Sequence, residues 1–322
     1  MVDEHWDRRQ FLKRLGILGV GGAGISAVTI SAHDKGRDEP RPKSQLAPMP
    51  NYRKGLEPLP TLVAVGKGAP EKAVRASIEA LGGMTAFVKR GEKVVIKPNI
   101  AWDRTPAQAA NTHPEVVAAL VTLCKDAGAA RVTVVDNTCN EAKRCYTRSG
   151  IWKAAEAAGA EVVLPEEHRF EVRRLGGVLG KVPVLRPLLE ADRLINAAVA
   201  KHHGLAKFTG AMKNLYGVIG GRRNRHHQQI DESIVALTEA FLPTLSIVDA
   251  TRVLLRNGPQ GGDLGDTLAV GAVAASTDPV ALDAYACTLI GVSPDELPYL
   301  AMASRRKLGV SDPTAFEKRE VS

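Results

Sequence analysis

The chain has 322 residues, 44% of them hydrophobic and 24% charged, with a formal net charge of +8, and one α/β core with a leader absorbs that length. The body holds no apolar run of membrane-spanning length. Only 4% of residues are aromatic and the Lys and Arg residues are spread along the chain, which excludes a base-stacking platform or a basic stripe for nucleic acid.

At the N-terminus, Arg8-Arg9-Gln10-Phe11-Leu12-Lys13 precedes a weakly hydrophobic stretch from Leu15 to Ala32. Gly16, Gly19, Gly21, Gly22 and Gly24 would make it a poor helix in water, and segment 1–32 resembles a twin-arginine signal. That resemblance implies export by the twin-arginine translocase to the periplasm. The membrane would be touched only through an uncleaved signal, since Ile30-Ser31-Ala32 lacks the first small residue of an A-x-A site. Residues 33–60, rich in Pro and charge and without hydrophobic period, predict an extended linker. Residues 61–322 read as a single α/β domain.

Within that domain, β-branched runs predict strands at Thr61–Val65, Lys93–Lys97, Arg131–Asp136, Glu161–Leu164, Arg193–Ala197, Thr244–Asp249 and Leu268–Ala275. Helical patterns fall between them at Pro70–Ala80, Pro114–Ala127, Ile151–Ala158, Leu205–Leu215, Asp231–Phe241 and Pro279–Ile290. Phe170 to Pro187, punctuated by Gly176, Gly177 and Gly180, reads as a hairpin or small insertion. Strands this apolar are covered on both faces, so the expected fold is α/β: a mainly parallel sheet with helices on both faces, a Rossmann-like three-layer sandwich.

In such sheets ligands bind outside the carboxyl ends of the strands. The residues there are polar: Lys97-Pro98-Asn99, Asp136-Asn137, Lys201-His202-His203-Gly204, Asp249, and Ser276-Thr277-Asp278-Pro279. Lys97, Asn99, Lys201, Lys213 and Asn214 are candidates for holding a small anion, to which ammonium and amide groups donate. His203, Asp249 and Asp278 are acid–base candidates, although Asp278 before Pro279 also has the form of a helix N-cap. A divalent metal would draw on His203 and His227 with Asp249 or Asp278, one histidine from each adjacent pair. On a helix through Leu205–Leu215, Lys207, Gly210, Asn214 and Gly217 share one face, and Gly210 admits either a ligand or a packed helix. The run Arg222, Arg223, Arg225 reads as a solvated loop.

The cysteines, Cys124, Cys139, Cys145 and Cys287, lack CxxC spacing. Cys139 and Cys145 are near enough in sequence to pair in an oxidising compartment, and Cys124 and Cys287 read as buried thiols. No P-loop, strand-to-helix GxGxxG or GxSxG elbow is present.

Taken together, Lys97-Pro98-Asn99, Thr112-His113-Pro114, Lys201 with His203, Thr209 to Gly217, His227, Asn257-Gly258-Pro259 and Asp278 to Ala284 resemble the domain of unknown function 362. Members of that family are often described as iron–sulfur proteins, many with a ferredoxin-like cysteine module. This chain departs from that pattern, having no CxxCxxC run, so the resemblance does not carry an iron–sulfur cluster with it. The expected function is that of an exported enzyme acting on a small anionic substrate. A periplasmic solute- or metal-binding protein, or a redox or assembly partner of another exported protein, are the alternatives.

Overall fold

The computed structural model describes residues 48–57 and 61–322. The twin-arginine segment 1–32 and most of the 33–60 stretch lie outside the described residues. Within that stretch the described part is anchored: Tyr52 is buried, its hydroxyl donates to Leu188 O at 2.9 Å, and its own carbonyl accepts from Thr244 Oγ1 and Arg193.

Eleven strands form in the described chain: β1 (Leu62–Lys67), β2 (Lys93–Pro98), β3 (Arg131–Val135), β4 (Glu161–Val163), β5 (Phe170–Leu175), β6 (Gly180–Leu185), β7 (Arg193–His203), β8 (Lys207–Thr209), β9 (Leu245–Leu254), β10 (Thr267–Ser276) and β11 (Glu317–Val321). The principal sheet runs β11-β1-β10-β9-β7-β2-β3-β4, with β8 on β7. It is mainly parallel, as expected, and only β10 and β8 run against the rest. β5 and β6 make the separate hairpin anticipated for Phe170–Pro187.

Alternation along the strands sends side chains to two cores. Val94 and Ile96 of β2 face one while Val95 faces the other, and in β7 Ile195 and Ala197 oppose Leu194 and Ala198. The first core is closed by α1 (Pro70–Glu79), α2 (Pro114–Asp126), α3 (Ala142–Arg148) and α4 (Ile151–Ala157). The second is closed by α5 (Arg186–Leu189), α6 (Ala211–Asn214), α7 (Ile230–Phe241), α8 (Pro279–Ala286) and α9 (Pro298–Arg305). Helices thus cover both faces of the sheet, giving three layers. Proline opens α1, α2 and α8 at the first turn, where its missing N–H costs nothing.

One predicted helix is replaced. Over Leu205–Leu215 the chain turns back at Gly204–Ala206, lays β8 antiparallel on β7 with Lys201 opposite Thr209, and forms only the short α6. The hairpin pairing prolongs β7 to His203, six residues beyond the predicted end at Ala197. The supposed common face of Lys207, Gly210, Asn214 and Gly217 is therefore absent. Gly210 answers to packing, because a Cβ there would lie 2.2 Å from Asp283 Oδ1 on α8 and 2.4 Å from the Phe208 ring. Cys139 and Cys145 are free thiols and form no disulfide, while Cys124 and Cys287 are buried as expected.

Candidate functional site

The ends of β2, β3 and β7 are neighbours in the parallel part of the sheet, so the polar residues that follow them converge. There they line a cavity of about 330 Å³ that takes in Lys97, Asn99, Asp136, Lys201, His203, Lys213, Asn214, Tyr216, Arg223 and His227. A larger hollow of about 670 Å³ beside α1, lined by Glu71, Lys72 and Arg75, has no buried charge in it.

Each lysine enters from a different element and is held differently. Lys97, at the end of β2, is completely buried. Its Nζ sits 2.7 Å from Asp136 Oδ1 and donates to Pro98 O at 2.8 Å and to Asn214 Oδ1 at 3.1 Å, which uses all three of its N–H groups. Asp136 is fixed in turn by the Ile100 amide, 2.7 Å from Oδ2. Lys201, on the prolonged β7, donates to Ala110 O at 2.5 Å and to Asn99 Oδ1 at 3.0 Å. Lys213, in α6, has neither kind of partner among the described residues; its Nζ lies 3.7 Å from the centre of the Tyr216 ring. That ring also stacks on His227, with centroids 5.4 Å apart.

Asn214 ties the lysines together. Its Oδ1 accepts from Lys97 and, at 2.9 Å, from Asn99 Nδ2, while its Nδ2 donates to Asn196 Oδ1 at 2.8 Å. The chain can approach this closely only because Gly217 has no side chain, since a Cβ there would stand 1.9 Å from Asp136 Oδ1 and 2.8 Å from Lys97 Nζ. Arg223 spans the rim by donating to the carbonyls of Asn137 and Thr138, and its guanidinium lies 3.2 Å from Cys139 Sγ.

Burial governs the protonation of the site. Desolvation brings Lys201 down to about 7, with the neighbouring Lys213 and Lys97 charges adding to the shift. Desolvation likewise brings Lys213 down to about 7, helped by Arg223 and Lys97. Lys97 is lowered by burial against the opposing pull of Asp136. His203 falls to about 2 through burial and then the charges of Lys213 and Lys201, so its ring is neutral throughout the working range. Its Nδ1 accepts from the amides of Leu205 and Ala206, both at 3.2 Å, which puts the ring proton on Nε2.

The structure gathers seven of the residues singled out by sequence around one cavity, Lys97, Asn99, Lys201, Lys213, Asn214, His203 and His227. It does not bring Asp249 or Asp278 there. Asp249 is buried under the start of α2, accepting from the His113 amide at 2.7 Å and from the Thr251 amide and hydroxyl. Asp278 caps α8 by accepting from Val280 and Ala281, and its other oxygen accepts from Val310. The metal reading loses its carboxylate for the same reason, and among the described residues no three His, Cys, Asp or Glu side chains are grouped to hold a metal ion. Adjacent histidines diverge as β geometry requires: His203 lines the cavity while His202 accepts from the Gly258 amide. Asp136, a strand-end carboxylate that the sequence offers for proton transfer or metal binding, completes the site with Tyr216 and Arg223, to which sequence assigned no role. Only the position of Asp136 at a strand end signalled it, and the Arg223 side chain is no solvated loop charge.

Three comparisons bear on the chain. Thylakoid-associated protein sll1697 of Synechocystis sp. is 29% identical over 253 residues, 76% of each chain. Among solved structures, the lactate racemase apoprotein from Thermoanaerobacterium thermosaccharolyticum superposes with a TM-score of 0.42 at 14% identity, over 75% of this chain and 60% of that one. That likeness is loose and bears on neither substrate nor cofactor. Residues 94–288, which hold every side chain of the cavity, match the model of the Domain of unknown function (DUF362), and the chain belongs to that family.

Proposed function

We propose that the protein is an enzyme that takes a small anionic substrate into the cavity at the carboxyl ends of β2, β3 and β7. One observation supports this above the others: Lys97, Lys201 and Lys213, all buried, and Arg223 line the cavity with a single carboxylate among the described residues, Asp136, which pairs with Lys97. Burying uncompensated ammonium groups is costly, and an anion in the cavity would offset that cost. The amides of Asn99 and Asn214 and the Nε2 proton of His203 supply neutral donors beside the cations. Lysines poised near neutrality can pass protons at the pH where the enzyme works, which a plain anion receptor does not need.

Calorimetric titration with phosphate, sulfate and small carboxylates tests the reading. One of these anions should bind, and Lys201→Ala should weaken it roughly tenfold to a hundredfold, the range expected for losing a charged hydrogen bond. If none binds at millimolar concentration the proposal fails; binding without turnover of any related metabolite would recast the protein as a receptor. The same reading includes export through the segment at Arg8-Arg9. Replacing both by Lys should leave the protein in the cytoplasm, and unchanged fractionation would remove export from it.

A further inference from the structure

The three buried lysines of the cavity are not chemically equivalent, and the difference is set by what each Nζ touches. Lys97 has its three N–H groups taken up by Asp136, Pro98 O and Asn214 Oδ1. An ammonium held that way has no lone pair to offer and serves as a fixed charge. Lys201 is directed at Ala110 O and Asn99 Oδ1, two acceptors that orient it as a donor. Of the three, Lys213 alone faces the cavity without a carboxylate or carbonyl among the described residues to hold a proton in place, and its Nζ lies over the Tyr216 ring.

We propose that Lys213 is a catalytic amine that forms an imine with a small carbonyl-bearing acid, a 2-oxo acid or an aldehyde acid. The inference rests on the anion-binding reading above and names the substrate class for it. The Lys213 Nζ lone pair forms a bond to the carbonyl carbon while the carbonyl π pair moves to oxygen. That oxygen, having taken up the two amine hydrogens, leaves as one water, and a C=N bond to Nζ remains. No oxidant or reductant enters the step. The carboxylate of the same substrate would be held by Lys201, Arg223 and the Nε2 proton of His203. The imine, once protonated, restores a cation over the face of Tyr216, where the ring quadrupole favours it. The two amine functions needed for such chemistry, one nucleophilic and one charged, are thus divided between Lys213 and its neighbours.

The surroundings of Lys213 agree with this division. Burial and the charges of Arg223 and Lys97 disfavour its ammonium form, Cys139 pulling the other way. A substantial share of the amine is therefore unprotonated near pH 7, whereas a surface lysine is almost wholly charged there.

The test is trapping with sodium borohydride in the presence of glyoxylate or pyruvate, read by intact mass and peptide mapping on the full chain. Wild-type protein should gain one reduced adduct, mapped to Lys213, at a rate that rises through about pH 7 rather than near the value of a free lysine. Lys213→Arg keeps the charge and Lys213→Met keeps the length; both should abolish the adduct, and a single cooperative thermal transition with an unchanged circular dichroism spectrum would show that either variant is folded. Lys201→Arg should slow labelling by weakening the hold on the carboxylate, and the adduct that forms should still map to Lys213. An adduct on Lys201, labelling scattered over surface lysines, or no adduct with either acid overturns the inference. Calorimetry with the same acids separates the two readings: binding without trapping rejects the imine and leaves the anion site standing, whereas no binding rejects both.

Discussion

At Asp278 the two oxygens accept from three backbone amides, Val280, Ala281 and Val310, and the residue does not line the cavity. An N-cap of this kind contributes about 0.5–2 kcal/mol, so Asp278→Ala should lower the melting temperature by several degrees while leaving anion affinity in the cavity unchanged. A loss of affinity without a loss of stability would return Asp278 to the site. The sequence showed both faces of this residue, an aspartate at a strand end and an aspartate before proline, and only the position of the strand end relative to its neighbours decides between them. The lysines were easier to read, because Lys97 and Lys201 follow strands that lie side by side. Arg223 was not legible: an arginine in a basic run looks solvated until the chain is seen to fold its guanidinium back onto the Asn137 and Thr138 carbonyls.

Among the elements, β7 and its return strand β8 decide where the site sits. By running on to His203, β7 carries Lys201 and His203 beyond the level at which β2 ends, and β8 then turns the chain into α6 with Lys213 and Asn214. The sequence pattern of Leu205–Leu215 carries helical spacing, which is why it reads as one helix; the competing signal is the pair of glycines, Gly204 and Gly210, that bracket a β-return. After α6, Gly217 lets the backbone pass against the Lys97–Asp136 pair. Gly217→Ala would press a methyl group onto the buried side chains of Asp136 and Lys97. It should therefore abolish anion binding and destabilise the fold by about 1–3 kcal/mol, the usual range for overpacking; titration calorimetry and thermal denaturation read the two effects, and a variant that binds normally would show that the pair can shift. Strand and helix order elsewhere followed from hydrophobic period, whereas α3, α5, α9 and β11 were not foreseen: α3, α5 and α9 are short, and β11 is a charged, exposed edge strand with no apolar alternation to announce it.

For the whole molecule, the cavity makes stability depend on pH. Lys201 and Lys213 titrate near 7 when folded, against an ordinary value of 10.5. Below about pH 7 both are charged in the folded and unfolded chains alike, so the cost of burying them is carried in full. Above it the folded chain sheds these protons first, the unfolded chain binds more, and stability rises until the unfolded lysines titrate in turn. His203 and His227 face the same cavity but are held toward the neutral form, so they oppose folding only at acid pH. The melting temperature of the ligand-free protein should therefore climb between about pH 7 and pH 10, the climb should shrink in Lys213→Met, and a bound anion should stabilise most at the lower end of that range. A flat profile would mean that the lysines keep ordinary protonation despite their burial.

The position of β1 has a consequence in time. Among the described residues its strand neighbours are β10 and β11, and its first paired residue, Leu62, meets Glu317. As the ribosome extends the chain, the first strand of the described residues can pack on α1 but has neither of these strand partners until β10 and β11 are made, while β2, β3, β4, β7 and β9 can already assemble. Closure of this edge of the sheet therefore waits for β10 and β11, so a chain stopped before Thr267 would hold a nearly complete anion cavity beside a β1 that still lacks both of these strands.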